Sequence, residues 1–180
     1  MRYTSDPRPY DFYLSHTDFK PVLSKYLIPT HSILHLGNGT SRLPSFMLND
    51  GFTNQICIDY SPIAVKACQD IWPKLVVKCM DATKITLDDN SIDAIIDKAT
   101  LDSILCETDA PNAALTTLSE IHRVLKSGGV YIMVSYSDLG GREELLNKCS
   151  WEEIKVERVT ISTGDSKKDG PFVFICKKCN

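Results

Sequence analysis

Long apolar runs are the first thing this 180-residue chain lacks; Val130–Val134 is among the longest. A membrane-spanning helix needs about 18 such residues, so a membrane protein is excluded. A basic excess is missing too: 20 Lys and Arg stand against 23 Asp and Glu, for a net charge of −3. That balance argues against a broad nucleic-acid-binding surface. The opening Met-Arg-Tyr-Thr-Ser-Asp has no apolar stretch of a secretory leader, and Asp6 and Asp11 do not suit a transit peptide. No internal repeat, low-complexity block or long linker divides the chain. The seven cysteines are odd in number and follow no framework spacing, so reduced thiols in a cytoplasmic compartment are expected. His16, His31, His35 and His122 show no ligand spacing, and Cys176-Lys177-Lys178-Cys179 lacks the second pair of a zinc site, so no metal is expected. A P-loop sequence is also absent.

What is present is globular: 43% hydrophobic and 24% charged residues. The length suits one domain over residues 1–180, burying about 70% of the unfolded surface. Residues 1–20 carry Tyr3, Tyr10, Phe12, Tyr13 and Phe19 among prolines, which reads as an ordered lead-in. Val22–Leu27 is apolar at helical spacing and stops at Pro29. Strands are expected at Ser32–Leu36, Gln55–Asp59, Leu75–Cys79, Ile92–Asp97 and Val130–Tyr136. Helices are expected at Ser41–Asn49, from Pro62 to about Ile71 behind the cap Ser61, and at Ala110–Lys126 before Ser127-Gly128-Gly129. Ile154–Ile161 and Phe172–Lys177 close the chain as a hairpin. Alternating strands and helices specify an α/β, doubly wound, mostly parallel sheet, the hairpin adding one antiparallel strand.

The clearest chemical signal is Leu36-Gly37-Asn38-Gly39-Thr40-Ser41 between the first strand and a helix. Glycine there lets the backbone approach a ligand beside unpaired helix-start N–H groups, or simply makes a tight turn. Asp59 follows Gly39 by twenty residues and ends the second strand, where an acid suits ribose hydroxyls. Arg42 stands where a dinucleotide loop wants its third glycine, which favours a nucleoside without phosphates. Asp81-Ala82 follows strand three: the acid would accept from an adenine amino group, or start a loop. Asp97-Lys98 closes strand four at the carboxyl edge, where ligands lie in such sheets.

Together these residues resemble the class I S-adenosylmethionine-dependent methyltransferases. The resemblance rests on the glycine loop, on Ile58-Asp59-Tyr60-Ser61-Pro62, and on Asp97-Lys98-Ala99-Thr100-Leu101-Asp102-Ser103. Within that class the chain is similar to the eukaryotic enzymes that methylate lysines of elongation factor one alpha and citrate synthase; Arg2-Tyr3 and Tyr10-Asp11-Phe12-Tyr13 match their lead-in. The resemblance implies a seven-stranded sheet of order 3-2-1-4-5-7-6 with strand seven antiparallel. It implies S-adenosyl-L-methionine as cofactor, held by Tyr3, Phe12, Gly37, Asn38, Gly39, Asp59, Tyr60, Asp81, Ala82 and Asp97. Asp97 and Lys98 are the candidate catalytic residues, and residues 1–29 would act as a cofactor lid. The implied partner is a protein lysine met by a monomer, without nucleic acid or membrane. No N-P-P-Y or D-P-P-Y follows strand four, which in this class argues against amide and adenine-amino substrates. Two departures, Asn38 for cysteine and Ala99 for glycine, keep an inactive cofactor-binding scaffold open as an alternative. A small-molecule methyltransferase is the other.

Overall fold

The computed structural model describes residues 8–137, 139–163 and 166–180, with backbone alone at residues 162, 163, 166 and 167. Among the described residues thirteen elements follow one another: α1 His16–Tyr26, β1 Ile33–Leu36, α2 Leu43–Asn49, β2 Gln55–Asp59, α3 Pro62–Ile71, β3 Val76–Cys79, β4 Ile92–Lys98, α4 Thr100–Ile104, α5 Ala110–Val124, β5 Leu125–Ser135, α6 Leu139–Leu146, β6 Trp151–Thr163 and β7 Ser166–Lys178. The seven strands form one sheet of order β3-β2-β1-β4-β5-β7-β6, as expected. β1 to β5 pair in parallel, and β7 lies antiparallel between β5 and β6. Among the described residues no helix is long and apolar enough to cross a membrane.

Both faces of the sheet are covered, which is why its central strands read as continuous apolar runs. Leu34, Leu36, Ile95, Tyr131 and Phe174 bury one face under α5, through Ala114, Leu118 and Ile121. Ile33, Ala94, Ile96, Ile132 and Val134 bury the other under α1 and α2, through Phe19, Val22, Leu23 and Met47. α3 packs Val65 and Cys68 against Cys57 and Val77. Its start is the expected one: Ser61 Oγ accepts from Ala64 N–H at 3.3 Å, and Pro62 occupies the first turn, where no N–H is needed.

Several boundaries differ from the sequence reading, each for a local reason. α1 begins six residues earlier than Val22, at His16, because Ser15 caps it and Pro21 is tolerated inside it. α5 stops at Val124 rather than Lys126, since Leu125 is already extended and paired with Ile92. Lys178 Nζ then donates to the carbonyls of His122 and Leu125, satisfying groups the helix end leaves open. α4 and α6 were not foreseen. One has five residues, and the other, Leu139-Gly140-Gly141-Arg142-Glu143-Glu144-Leu145-Leu146, opens on two glycines without an apolar stripe.

Candidate active site

A cavity of about 530 Å³ opens at the carboxyl ends of β1, β2 and β4, within the range of small-ligand pockets. Gly37 and Asn38 wall it after β1, Asp59 and Tyr60 after β2, Asp81 and Ala82 after β3, and Lys98 at the end of β4. Phe12 crosses from the lead-in to join them. Tyr3 lies outside the described residues. Gly39 is not part of the wall; it serves Asp59 instead.

Gly37 and Gly39 both take left-handed backbone, with φ of 56° and 54°. Gly37 also has no room for a side chain, because a Cβ there would lie 2.6 Å from Thr100 Cγ2 and 2.9 Å from Thr100 Cβ. Thr100 is fixed in that position by donating its hydroxyl to Leu36 O at 2.7 Å. The loop therefore runs flush against the start of α4, and its glycine is compulsory.

Asp59 is 5% exposed, and its carboxylate ties two loops together. Oδ2 accepts from Gly39 N–H at 2.8 Å and Oδ1 from Ser61 N–H at 2.9 Å. Burial raises its pKa, while the two N–H donors oppose the rise. Each oxygen keeps a second lone pair, so a vicinal diol could be received there. Asp81 is exposed, and its Oδ1 accepts from both the N–H and the hydroxyl of Thr83 at 2.8 Å. It is thus a turn-forming residue that also stands on the cavity wall. Asn38 turns its amide to Gly39 O at 3.3 Å and to Cys68 Sγ at 3.4 Å, bracing the loop against α3.

Asp97 departs from the expected placement. Residues alternate faces along a strand, so Asp97 points away from the side shared by His35, Ile96 and Lys98. It is fully buried and is not part of the cavity wall. Oδ2 accepts from the Tyr131 hydroxyl at 2.8 Å and Leu101 N–H at 3.1 Å, and Oδ1 from Thr100 N–H at 2.7 Å. This carboxylate caps the first turn of α4, a structural duty. Lys98 does not pair with Asp97. Its Nζ donates to Asp11 Oδ1 at 2.6 Å, and both side chains are largely buried. Burial lowers the Lys98 pKa, and Asp11 opposes that shift. Asp11 also accepts from Ser41 Oγ and from Arg42 N–H at 3.4 Å, which fastens the lead-in to the start of α2.

His35, one of the four histidines without ligand spacing, lines the cavity. Gln55 fixes its tautomer. The Gln55 amide nitrogen donates to Pro44 O and Phe52 O, so its oxygen accepts from His35 Nε2–H at 2.7 Å. Desolvation pulls its pKa down to about 4, whereas desolvation pushes Asp97 up to about 6. These groups act oppositely on stability. Neutral His35 loses stability for the fold as pH falls from its ordinary 6.5 toward 4, because the unfolded chain binds the extra proton. Asp97 is held protonated longer in the fold, so it loses stability as pH rises from 3.8 through 6. Asp97→Asn removes only the second effect. Urea denaturation between pH 4 and 6.5 should therefore show stability climbing more steeply with pH in Asp97→Asn than in the wild type. Parallel slopes would contradict the assignment.

The sheet order is that of the class I methyltransferase fold, with the glycine turn and the acid closing β2 on the wall of one cavity. The chain belongs to the methyltransferase domain family, whose model matches residues 34–133, more than half its length. Among curated relatives, the eEF1A lysine and N-terminal methyltransferase of Xenopus laevis is 30% identical over 184 residues, covering 95% of this chain and 26% of that protein. EEF1A lysine methyltransferase 4 of Mus musculus is 32% identical over 142 residues, covering 73% of this chain and 56% of its own length. The chain thus spans less than two thirds of either relative. A SAM-dependent methyltransferase from Methanosarcina mazei shares the fold with a TM-score of 0.72 at 20% identity, over 94% of this chain and 99% of its own.

Proposed function

We propose that this chain is a protein-lysine methyltransferase that uses S-adenosylmethionine. The observation that carries the lysine reading is its similarity, at 30% and 32% identity, to relatives described as eEF1A lysine methyltransferases. The cavity supports the cofactor reading on separate grounds. Asp59 offers two lone pairs to a ribose diol, and Gly37 brings bare backbone to the ligand. Asp81 Oδ2 remains available to an adenine amino group, since Thr83 uses only Oδ1. Lys98 is already paired with Asp11, and its ammonium has a further N–H to offer the carboxylate of the amino-acid tail.

When bound, S-adenosylmethionine supplies a methyl group on a positively charged sulfur, already activated for displacement. The chain's task is then alignment, which is worth up to several kcal/mol, together with exclusion of water. Alignment falls to the rigid β1 and β2 loops. Exclusion falls to residues 8–13, which lie across the carboxyl edge of the sheet. Tyr10 N–H donates to Thr40 O and Thr40 Oγ1 to Arg8 O, both at 3.0 Å. Phe12, still 40% exposed, is the ring of this cover best placed to gain contact from a ligand. Phe12→Ala should lower affinity for S-adenosylhomocysteine by roughly tenfold, about 1.5 kcal/mol of apolar contact. Unaltered calorimetric affinity would remove Phe12 from the site.

The functional test is transfer of radiolabelled methyl from S-adenosylmethionine into the protein, small-molecule and RNA fractions of a cell lysate. Label in methyl-lysine after acid hydrolysis of the protein fraction is expected. Label confined to small molecules would establish the alternative substrate class, and no transfer despite cofactor binding would mark a scaffold.

A further inference from the structure

Asp102, on α4, is not part of the wall of the cavity described above, yet it collects donors from three other segments of the chain. Oδ2 accepts from the Tyr13 hydroxyl at 2.9 Å. Oδ1 accepts from Arg142 Nε at 3.0 Å and Nη2 at 2.8 Å, and the Ser135 hydroxyl sits 2.7 Å from the same oxygen. Lead-in, end of β5 and α6 are thereby joined to α4 through one carboxylate, with Asp102 and Arg142 only 12% and 13% exposed.

The bond to Tyr13 differs from the other two. Ser135 ends β5, which meets the start of α4 where Ala99 N–H donates to Val134 O, and Arg142 lies on α6, whereas Tyr13 arrives from the lead-in with left-handed backbone at φ 66°. A tyrosine adopts that conformation only when its surroundings hold it. Tyr13 also stands in a line of rings. It meets Tyr136 edge-on with centroids 5.0 Å apart and Phe12 at 6.1 Å, and Phe12 meets Tyr10 at 4.8 Å. Of these four rings, Phe12 and Tyr10 are the two that wall the cavity. The hydroxyl of Tyr13 therefore holds a ring that abuts the wall without belonging to it. Burial and the Asp102 carboxylate raise the Tyr13 pKa, so the hydroxyl stays protonated as the donor.

We propose that Asp102 is a positioning residue for the cofactor cavity, acting through Tyr13 to set the Phe12–Tyr10 wall. The proposal rests on the methyltransferase reading above and deepens it: the clasp couples the cover over the cofactor to α4, which follows β4, and to α6, which follows β5.

A double-mutant cycle on the full chain tests it, with S-adenosylhomocysteine as the calorimetric probe. Tyr13→Phe, which removes one hydroxyl and keeps the ring, should weaken binding about fivefold or more. Asp102→Asn should do likewise, since a carboxamide cannot serve Arg142, Ser135 and Tyr13 together. In a Phe12→Ala background, Tyr13→Phe should have almost no further effect, because the part it positions is gone. Hydrogen exchange at residues 10–14 should quicken in Tyr13→Phe while the amides of β1 and β4 keep their protection, which also confirms that the variant folds. Wild-type affinity in Tyr13→Phe, or an equal loss in the Phe12→Ala background, overturns the proposal and leaves the functional reading standing. Failure of the wild type itself to bind overturns both.

Discussion

Asp59→Ala is expected to weaken binding of S-adenosylhomocysteine by roughly ten- to 150-fold, the equivalent of about 1.5–3 kcal/mol for hydrogen bonds to a charged acceptor. The variant should also melt earlier than the wild type. Gly39 N–H and Ser61 N–H both end on this carboxylate, and alanine leaves both donors without it. The two effects are separable with Asp59→Asn, which keeps one acceptor oxygen and the side-chain volume. Asparagine should recover part of the melting temperature, since its one oxygen can serve only one of the two N–H groups, and little of the affinity, because its nitrogen cannot accept from a hydroxyl. Calorimetric titration beside thermal melts checks both. Full affinity in a folded Asp59→Ala would show that the carboxylate serves the loops alone.

Gly37→Ala should be more damaging to the fold. The added methyl would enter the space of Thr100, whose hydroxyl is engaged by Leu36 O. Overpacking costs about 1–3 kcal/mol, and a left-handed non-glycine residue about 1–2 kcal/mol more. Relief by turning Thr100 would break its bond to β1 and shift the start of α4, where Asp97 caps the chain. Loss of roughly 2–5 kcal/mol by urea denaturation is expected, with cofactor affinity falling too. A double variant that also carries Thr100→Ser, one methyl smaller, should recover part of the loss. No recovery would mean that backbone strain outweighs the contact.

The sheet was legible because its strands carry their own signals. Gln55–Asp59 was located to the residue, and α3 announced itself through Ser61-Pro62. The elements that escaped were those whose form depends on distant partners. α4 is a single turn held by Asp97 and by the left-handed Ala99, at φ 75°, where the resembling enzymes place glycine. α6 carries two glycines in its first turn and no apolar stripe, and it is tied down by Arg142 on Asp102. The site divides the same way. Gly37, Asn38, Asp59, Tyr60, Asp81 and Ala82 lie on the cavity wall because loop chemistry at strand ends is local. Asp97 was read as a site residue since it ends β4, but strand alternation turns it to the opposite face. Its neighbour Lys98 faces the cavity, paired with an acid 87 residues away in sequence. That acid, Asp11, and the clasp acid, Asp102, both lay within the stretches that carried the resemblance. Nothing in the spacing says which cation or tyrosine each would meet. His35 was missed because a histidine inside a buried strand looks like packing until the sheet shows where the strand ends.

Competitive calorimetry decides whether the cavity between Asp59, Gly37 and Lys98 is the S-adenosylmethionine site proposed above. S-adenosylhomocysteine should bind the full chain one to one, and S-adenosylmethionine should compete for the same site. 5′-Methylthioadenosine, which lacks the amino-acid tail that Lys98 would hold, should bind more weakly in the wild type and nearly equally in Lys98→Met. NAD and ATP should not compete. Displacement of S-adenosylhomocysteine by NAD or ATP, or no heat from S-adenosylhomocysteine with the folded wild-type chain, would contradict the account.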